Sequence, residues 1–471
     1  MSRSKRVLIA RVFLCLFTGL SACTPKAQSP QAAAPAPPRQ PNIVIIMADD
    51  LASGELSCYG GKNLQTPNID ALAKEGLKFN KIYASEAMCV PIRASLFTGL
   101  YPVRHGSFQN HKPVQDNLKS IGHYLGDLGY RVALTGKDHS TKPRTVFPFE
   151  IIDGFEVNCV AKTADYSVDG IRNFVTSSQK PYCLFVMSTN PHAPWTVGDP
   201  SEFDHDKLTL PAHWVDTKQT RQQFTKYLAE VRQLDNEVGD VMKMLKATGQ
   251  DKNTMVIFLG EQGPQFPGGK WNLWDHGVKS SMIVRLPGKV KAGTQTNALV
   301  QYEDITPTLV ALAGGGAVPG LDGTSFLPVL EGKTQQHRQY AYGVHNNIPE
   351  GPSYPIRNIQ DDRYKLILNL TPAANYHIKY MMNPKVPNPT WQTWQDRAKE
   401  DERAKFLTNR IVHRPAVEFY DTQQDPAELN NLAGNPAYAA KVKELTAELQ
   451  KWMKQQGDEG ASMDREHAKH Q

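Results

Sequence analysis

The sequence predicts an α/β fold in which a large mixed, mostly parallel sheet is sandwiched by helices and is followed by a smaller α+β subdomain. Continuous apolar runs at residues 42–48, 182–187 and 254–259 are typical of parallel strands that are buried on both faces. Helical patterns separate these runs, and each run ends in a polar cluster. Because such sheets bind ligands at the carboxyl ends of their strands, the polar clusters predict one shared active site.

Residues 1–22 have the layout of a secretory signal. Basic residues precede an apolar run at residues 12–20 that is too short to span a membrane. The tetrapeptide ending at Cys23 resembles a bacterial lipobox, whose cysteine is diacylated; a plain signal peptide cleaved nearby is the alternative. Residues 23–40, rich in Ala, Pro and Gln, predict a flexible tether. We therefore expect a bacterial cell-envelope lipoprotein with its lipid anchor at Cys23, facing the periplasm or on the outer-membrane surface.

The charge balance and the cysteines exclude two other classes of protein. The formal net charge is +6, and removal of the four basic leader residues leaves about +2, so we expect no nucleic-acid partner. Cys15 leaves with the leader and Cys23 would be lipidated, so four thiols remain in the domain. Four scattered thiols in so large a domain do not make a disulfide framework. A single disulfide between Cys159 and Cys183 is possible in an oxidising compartment.

Oxygen-bearing side chains follow two of the predicted strands. Asp49 and Asp50 come directly after the first strand. Adjacent carboxylates repel each other and are readily stabilised by a cation, so we favour a metal site over a solvated turn. Glu261 and Gln262 follow the strand at residues 254–259 and could complete this oxygen-rich site.

A thiol and an arginine open a short predicted helix at residues 89–99. Cys89 lies at its start and Arg93 one turn later, so an anion could meet a nucleophile, a positive charge and free backbone N–H groups together. Taken alone, a cysteine near a proline is more often structural than catalytic. The functional interpretation therefore depends on partners elsewhere in the chain.

Three further segments supply such partners. Lys137 and His139 follow a predicted strand at residues 131–134, where alternate residues can point into one cleft as an anion-holding and proton-transferring pair. His192 follows another strand between two prolines that fix its backbone. Lys270 lies in a glycine-rich loop.

The remaining helical patterns are interpreted as scaffold. Residues 66–76 and 121–128 predict short helices, and residues 227–248 predict a long amphipathic helix with one apolar stripe. We place a catalytic domain at residues 41–334.

Shorter, alternating segments from residue 335 predict a C-terminal subdomain at residues 335–460 that ends in a helix at 437–453, with a tail at 461–471. Within it, the segment at residues 344–357 carries His345 and Arg357. These residues could line a substrate pocket, and an ordinary connection is an equally weighted alternative.

Together the motifs resemble the formylglycine-dependent type I sulfatases of the alkaline phosphatase superfamily, over nearly all of the chain after the tether. Residues 89–93 are similar to the C-x-P-x-R signature, with Ile92 where many members have serine. Glu261 and Gln262 stand where Asp-Asn is usual. The other matches to the family are the metal pair Asp49 and Asp50, Lys137 and His139 of G-K-x-H, His192 of P-H-x-P, and the later basic Lys270.

The resemblance implies a mechanism. A formylglycine-generating enzyme would oxidise Cys89 to an aldehyde whose hydrate is the nucleophile. One Ca²⁺ would be held by Asp49, Asp50, residue 89, Glu261 and Gln262. The roles implied for the other residues are sulfate binding by Arg93, Lys137 and Lys270, leaving-group protonation by His192 or Lys270, and proton removal from the second hydroxyl by His139.

The implied substrate is a sulfated mono- or oligosaccharide. Residues 136–149, 265–270 and 353–357 are most similar to members of the N-sulfoglucosamine sulfohydrolase type. A phosphatase or phosphonate monoester hydrolase of the same superfamily is one alternative, because a dication and a basic cleft also suit phosphate. An inactive glycan-binding lipoprotein is another, suggested by Ile92 and by the Glu261-Gln262 pair.

Overall fold

The computed structural model describes residues 40–383 and 390–463. The predicted signal, the lipid site Cys23, the tether up to residue 39 and most of the tail lie outside the described residues, so the anchor and the cell-envelope location stay predictions. Within the described ranges, the strands are β1 Asn42–Met47, β2 Leu77–Tyr83, β3 Arg131–Gly136, β4 Glu150–Ile151, β5 Tyr182–Met187, β6 Thr254–Leu259, β7 Lys279–Arg285, β8 Thr294–Thr296, β9 Val300–Gln301, β10 Ala341–Asn346, β11 Pro355–Gln360, β12 Tyr364–Asn369 and β13 Val417–Asp421. The helices are α1 Pro67–Glu75, α2 Cys89–Thr98, α3 Pro102–His105, α4 Ile121–Asp127, α5 Asp169–Thr176, α6 Lys218–Ala247, α7 Asp275–Val278, α8 Ile305–Leu312, α9 Leu327–Leu330, α10 Lys379–Met382, α11 Thr390–Arg397, α12 Glu402–Val412 and α13 Ala439–Gln456.

The large sheet has the strand order β4-β3-β5-β1-β6-β7-β2-β8, with β9 paired to β2. The strands from β4 to β6 are parallel, and β7 runs antiparallel to both β6 and β2. All residues of the central strands β1, β5 and β6 are buried, as their continuous apolar runs predict. The predicted mostly parallel α/β sheet is therefore confirmed.

Strand register brings the predicted site residues to one edge of this sheet. Met47, the last residue of β1, lies opposite both Met187 and Leu259, and Gly136 of β3 also pairs with Met187. The pairing continues past the strand ends, because the Asp49 N–H donates to the Asn190 carbonyl at 3.0 Å. The polar segments after β1, β3, β5 and β6 consequently meet.

The small sheet is antiparallel, in the order β10-β11-β12-β13. Helix α13 buries Leu445, Leu449 and Trp452 in a cluster with Ile359 and Leu366 of this sheet. The chain passes from the large sheet to the small one between β9 and β10, a segment that contains the predicted boundary at residues 334 and 335. Both sheets lie in one compact unit that begins at Gln40.

Helix α6 begins nine residues before the predicted start at residue 227. The Thr217 side chain accepts a hydrogen bond from the Thr220 N–H and caps the helix. The first turns are rich in polar residues and give little apolar periodicity, so the sequence pattern located only the later, core-facing part. No helix in the described ranges is long and apolar enough to cross a membrane.

The two cysteines that could have paired are both free. Cys183 is fully buried in β5. The Cys159 sulfur instead lies 3.9 Å from Nε2 of His139.

The segment predicted to hold substrate ligands forms parts of β10 and β11, and both candidate residues are fully buried. Arg357 pairs with the Asp458 carboxylate, at 2.5 Å from Nε and 2.9 Å from Nη2. His345 contacts Glu86 through Nδ1 and Asn347 through Nε2. These polar groups face protein partners in the interior, and the role of His345 and Arg357 as substrate ligands stays a prediction.

The backbone at the end of β3 requires glycine. Gly136 has φ +84°, and a Cβ there would lie 2.0 Å from the Met187 carbonyl oxygen, which accepts the Lys137 N–H. We expect Gly136→Ala to lower the free energy of unfolding by about 3 kcal/mol through clash and left-handed strain, measured by urea denaturation. Gly126→Ala is the control, because a Cβ there meets open space in α4 and should stabilise by up to about 1 kcal/mol. Equal effects of the two substitutions would contradict this account.

Candidate active site

The predicted site residues converge where the parallel strands end and α2 begins. Cys89 is the first residue of α2, and its sulfur lies 3.3 Å from both Lys270 Nζ and Gln262 Nε2. The same sulfur is 3.5 Å from Asp49 Oδ1 and 3.8 Å from Asp50 Oδ1. Four side chains from three separate segments of the chain therefore surround one thiol.

Burial, reinforced by the nearby Glu261 charge, raises the pKa of the Cys89 thiol well above its ordinary value. A thiol acts as a nucleophile through its thiolate, so an unmodified Cys89 is poorly suited to attack.

Three buried carboxylates meet three buried cations around this sulfur. Asp49 Oδ2 lies 2.5 Å from Lys137 Nζ, and Asp50 Oδ1 lies 2.8 Å from Lys270 Nζ. Burial alone would raise the pKa of Asp49, but the surrounding positive charges, Lys137 first, hold it well below the ordinary value. The Asp49 carboxylate also raises the pKa of Lys137 against the opposing effect of burial. Both groups consequently stay charged in a site from which water is excluded.

The third pair has a structural task. Glu261 Oε1 lies 2.6 Å from Arg93 Nε, and Oε2 accepts the backbone N–H of Asp50 at 3.1 Å. Asp50 has φ +62°, a conformation that few non-glycine residues adopt. Glu261 thus holds Arg93 and the turn that presents Asp50, and its role as a metal ligand stays a prediction.

The remaining donor set fits a divalent cation. One ligand atom from each of Asp49, Asp50, Cys89 and His192 lies within 4.8 Å of the others. Gln262 Oε1 is buried and has no hydrogen-bond partner in the described part of the chain. A half-turn of this amide would present the free oxygen where Nε2 now contacts Asp50 Oδ1. Carboxylate and amide oxygens are the ligands that Ca²⁺ prefers.

Two histidines flank the charged cluster. His192 Nε2 lies 3.7 Å from Asp50 Oδ2, and burial lowers its pKa to about 4. His139 lies farther out, where burial and then the Lys137 charge lower its pKa to about 3. Both imidazoles are therefore neutral at neutral pH, with a nitrogen able to accept a proton.

A buried ion pair that the sequence analysis missed fixes the His192 loop. The Lys162 ammonium donates to the Glu230 carboxylate and to the His192 carbonyl. Glu230 Oε1 also accepts the N–H groups of Thr196 and Val197, at 2.7 and 3.1 Å. The sequence could have indicated that Glu230 is buried, because this residue adjoins the apolar stripe of α6. Lys162 lies in an irregular loop without periodicity, so no sequence pattern indicated it.

Asn110 supports the other side of the site and was also missed. Its Oδ1 accepts the Val90 N–H at 3.3 Å, at the start of α2. Its Nδ2 donates to Glu350 Oε1 at 2.6 Å. Asn110 thereby links the residue after Cys89 to the loop that precedes β11, a long-range contact that no local pattern reveals.

The Lys162–Glu230 pair yields a stability prediction. Lys162→Met leaves the Glu230 carboxylate buried and unpaired, so we expect a loss of about 3 kcal/mol in the free energy of unfolding, measured by urea denaturation. Lys226→Met is the control, because this lysine is exposed on α6 and should change stability by less than about 0.5 kcal/mol. Adding Glu230→Gln to Lys162→Met should recover most of the loss, because the unpaired charge is removed while the amide oxygen can still accept the N–H groups of Thr196 and Val197; a double variant as unstable as the single one would count against this pairing.

Two family descriptions match the chain. Residues 41–315 match the family described as Sulfatase. Residues 269–388 match the region described as N-sulphoglucosamine sulphohydrolase, C-terminal.

Characterised relatives span most of the chain. It is 33% identical to an ulvan-active sulfatase of Formosa agariphila, over 89% of this chain and 81% of that protein. It is 27% identical to the human N-sulphoglucosamine sulphohydrolase, over 88% of this chain and 90% of that protein.

Solved structures share the fold. One is a complex with its substrate D-glucosamine-2-N,6-O-disulfate, with a TM-score of 0.68 and 22% identity over 89% of this chain and 99% of the other. Another is the phosphonate monoester hydrolase of Agrobacterium radiobacter, with a TM-score of 0.67 and 19% identity over 88% of this chain and 96% of the other.

Proposed function

Because the chain belongs to the sulfatase family of hydrolases, we propose that it removes sulfate groups from a sulfated carbohydrate, using a formylglycine derived from Cys89 and a bound Ca²⁺. The observation that carries this proposal is the position of the Cys89 sulfur, which is 3.3 Å from Lys270 Nζ and 3.5 Å from Asp49 Oδ1. One residue at the start of a helix thus faces both an anion-binding ammonium and a cation-binding carboxylate.

The buried thiol itself argues for modification. Its raised pKa makes the thiol a weak nucleophile. The surrounding charges nevertheless form a site suited to an anionic substrate group that is attacked by a nucleophile. A formylglycine at position 89, installed by a formylglycine-generating enzyme, would supply an oxygen nucleophile, and the cation would polarise the sulfate and offset its charge. Asp49, Asp50, residue 89 and Gln262 would hold that cation, with His192 beside them.

The basic side chains would hold the sulfate. Arg93, Lys137 and Lys270 keep their ammonium or guanidinium groups in a dry site, where hydrogen bonds to an anion are strongest. These groups are already fixed by their carboxylate partners, so they need little reorganisation when the anion arrives.

Proton transfer would involve groups on two sides of the cluster, those beside Asp50 and the one beside Lys137. Lys270 and His192 both lie against Asp50. Lys270 is charged and is placed to give a proton to the leaving oxygen or nitrogen, whereas His192 would do so only after taking up a proton itself. His139 lies farther out as a neutral base beside Lys137, suited to take a proton from residue 89.

The substrate class follows from relatives named for ulvan and for N-sulphoglucosamine. We propose an O- or N-sulfated saccharide. The likeness to a phosphonate monoester hydrolase is at 19% identity and supports the shared fold alone. The set of six predicted catalytic side chains is complete, which favours an enzyme over an inactive glycan-binding protein.

Mass analysis of the peptide containing Cys89 tests the modification. Replacement of the thiol by an aldehyde should lower its mass by about 18 Da. The modified protein should release sulfate from at least one of N-sulfated glucosamine, 6-sulfated sugars and algal oligosaccharides, and Cys89→Ala should abolish that release. Cys58→Ser, at a free thiol outside the site, should leave the rate within about twofold. An unmodified Cys89 in fully active protein would refute the formylglycine proposal.

Calcium dependence of stability tests the cation site. With Ca²⁺ at about 100 times its dissociation constant, the free energy of unfolding should exceed that of chelator-treated protein by about 2.7 kcal/mol. Asp50→Ala should remove this increment, because a ligand and its charge are both lost. Asp116→Ala, at an exposed carboxylate, should retain it. A calcium increment that survives undiminished in Asp50→Ala would place the ion elsewhere.

A further inference from the structure

A row of cationic and aromatic side chains leads from the candidate active site to the protein surface. Lys270 Nζ lies 3.3 Å from the Cys89 sulfur and 5.1 Å from the centre of the Trp271 ring. The Trp271 ring stacks on Tyr380 at 6.3 Å with 22° between the planes, and Lys379 Nζ lies 5.2 Å from the Tyr380 ring centre. We call Lys270, Trp271, Tyr380 and Lys379 the aromatic row.

Exposure changes along the aromatic row. Trp271 is 2% exposed and Tyr380 is 45% exposed. The row therefore begins beside a buried sulfur and ends in a ring that is open to solvent. Tyr380 is one of few large apolar side chains so exposed in the described residues, and an exposed ring backed by a buried one is a ready contact surface.

The backbone of Trp271 is held in an unfavourable conformation. Its φ is +69°, which costs a bulky residue on the order of 1 kcal/mol or more. The Trp271 N–H donates to the Ala87 carbonyl at 3.1 Å, and the Tyr376 hydroxyl donates to the Trp271 carbonyl at 2.6 Å. Such strain persists where the surroundings impose it, and it is concentrated at functional sites.

The surface end of the row is connected by hydrogen bonds to Asn110, which contacts the start of α2. The Lys379 N–H donates to the Glu350 carbonyl at 2.8 Å, and the Glu350 carboxylate accepts from Asn110 at 2.6 Å. His111, with a side chain that is 58% exposed, places Nε2 3.6 Å from Glu350 Oε1. Its ring centre is 6.1 Å from that of His139. His111 and Tyr380 thus flank the approach to the buried residues.

The exposed charge at the surface end of the row is positive. Lys270 and Lys137 are balanced by Asp50 and Asp49, whereas the exposed Lys379 ammonium donates to the Pro349 carbonyl at 2.9 Å and forms no ion pair within the described residues. Glu350, whose Oε1 lies 3.6 Å from His111 Nε2, is 2% exposed and is engaged by Asn110. A substrate with a second acidic group would meet favourable charge outside the sulfate position.

We propose that the aromatic row binds the sugar that carries the sulfate, with Tyr380 against the C–H face of the ring and Lys379 beside a second acidic group of the saccharide. This assignment rests on the proposed function and adds a substrate class to it: an anionic saccharide with a carboxylate or a further sulfate. The C–H face of a pyranose is apolar and flat enough to pack on an aromatic ring, and a surface ammonium pairs with an anion at the ring edge.

Equilibrium binding of two probes to the full chain tests the assignment. Inorganic sulfate reports on the buried site alone, and a sulfated disaccharide that contains a uronate reports on the buried site and the row together. Tyr380→Ala and Lys379→Met should each weaken disaccharide binding about 10-fold. Tyr380→Phe should bind within about twofold of the native chain, because the ring remains. Inorganic sulfate should bind all variants equally.

Phe406→Ala is the matched control, because Phe406 is a 46% exposed aromatic outside the row, and it should leave both dissociation constants unchanged. The assignment is overturned if the native chain does not bind the disaccharide, if the row variants bind it normally, or if they lose inorganic sulfate to the same extent. Binding needs no turnover, so row-dependent binding without sulfate release would count against the sulfatase proposal alone. Sulfate release that is insensitive to the row variants would count against the row alone.

Discussion

The buried charges around Cys89 have to compensate one another, and the strands of the large sheet bring the oppositely charged side chains together. Three carboxylates and three cations lie together with almost no exposure to solvent. Moving one ion out of water costs several kcal/mol. Attraction to an opposite charge 4 Å away stabilises it by about 4 kcal/mol at an effective dielectric constant of about 20. Each charge is therefore stable only beside its partner. Since the partners come from different strand ends, the register of β1, β3 and β6 is a condition for the site.

Support for this cluster comes from outside the catalytic motifs. On one side, Lys162 and Glu230 hold the loop that carries His192. On the other side, Asn110 connects the start of α2 to Glu350. These contacts satisfy buried backbone groups that would otherwise be costly. The reactive groups are consequently held by packed structure before any ligand binds.

The sequence allowed prediction of the central strands and of the residues that follow them. Buried parallel strands leave unbroken apolar runs, and the polar residues after Met47, Gly136 and Leu259 stand out against those runs. Prediction failed where the deciding partner is remote. No local pattern showed that Arg357 is buried beside Asp458, because Asp458 lies about 100 residues later in the chain. Asn110 and Lys162 lie in loops, whose contacts leave no periodic pattern.

The length of the Glu261 side chain matters to two neighbouring groups at once. A shorter aspartate there would have to span the same separation between the Arg93 guanidinium and the Asp50 backbone N–H with one methylene fewer. Replacing Glu261 with aspartate would therefore weaken the contact to the Arg93 guanidinium, the contact to the Asp50 N–H, or both. The side chain thus acts as a spacer, because its length sets the separation between the helix that carries Cys89 and the turn that carries Asp50.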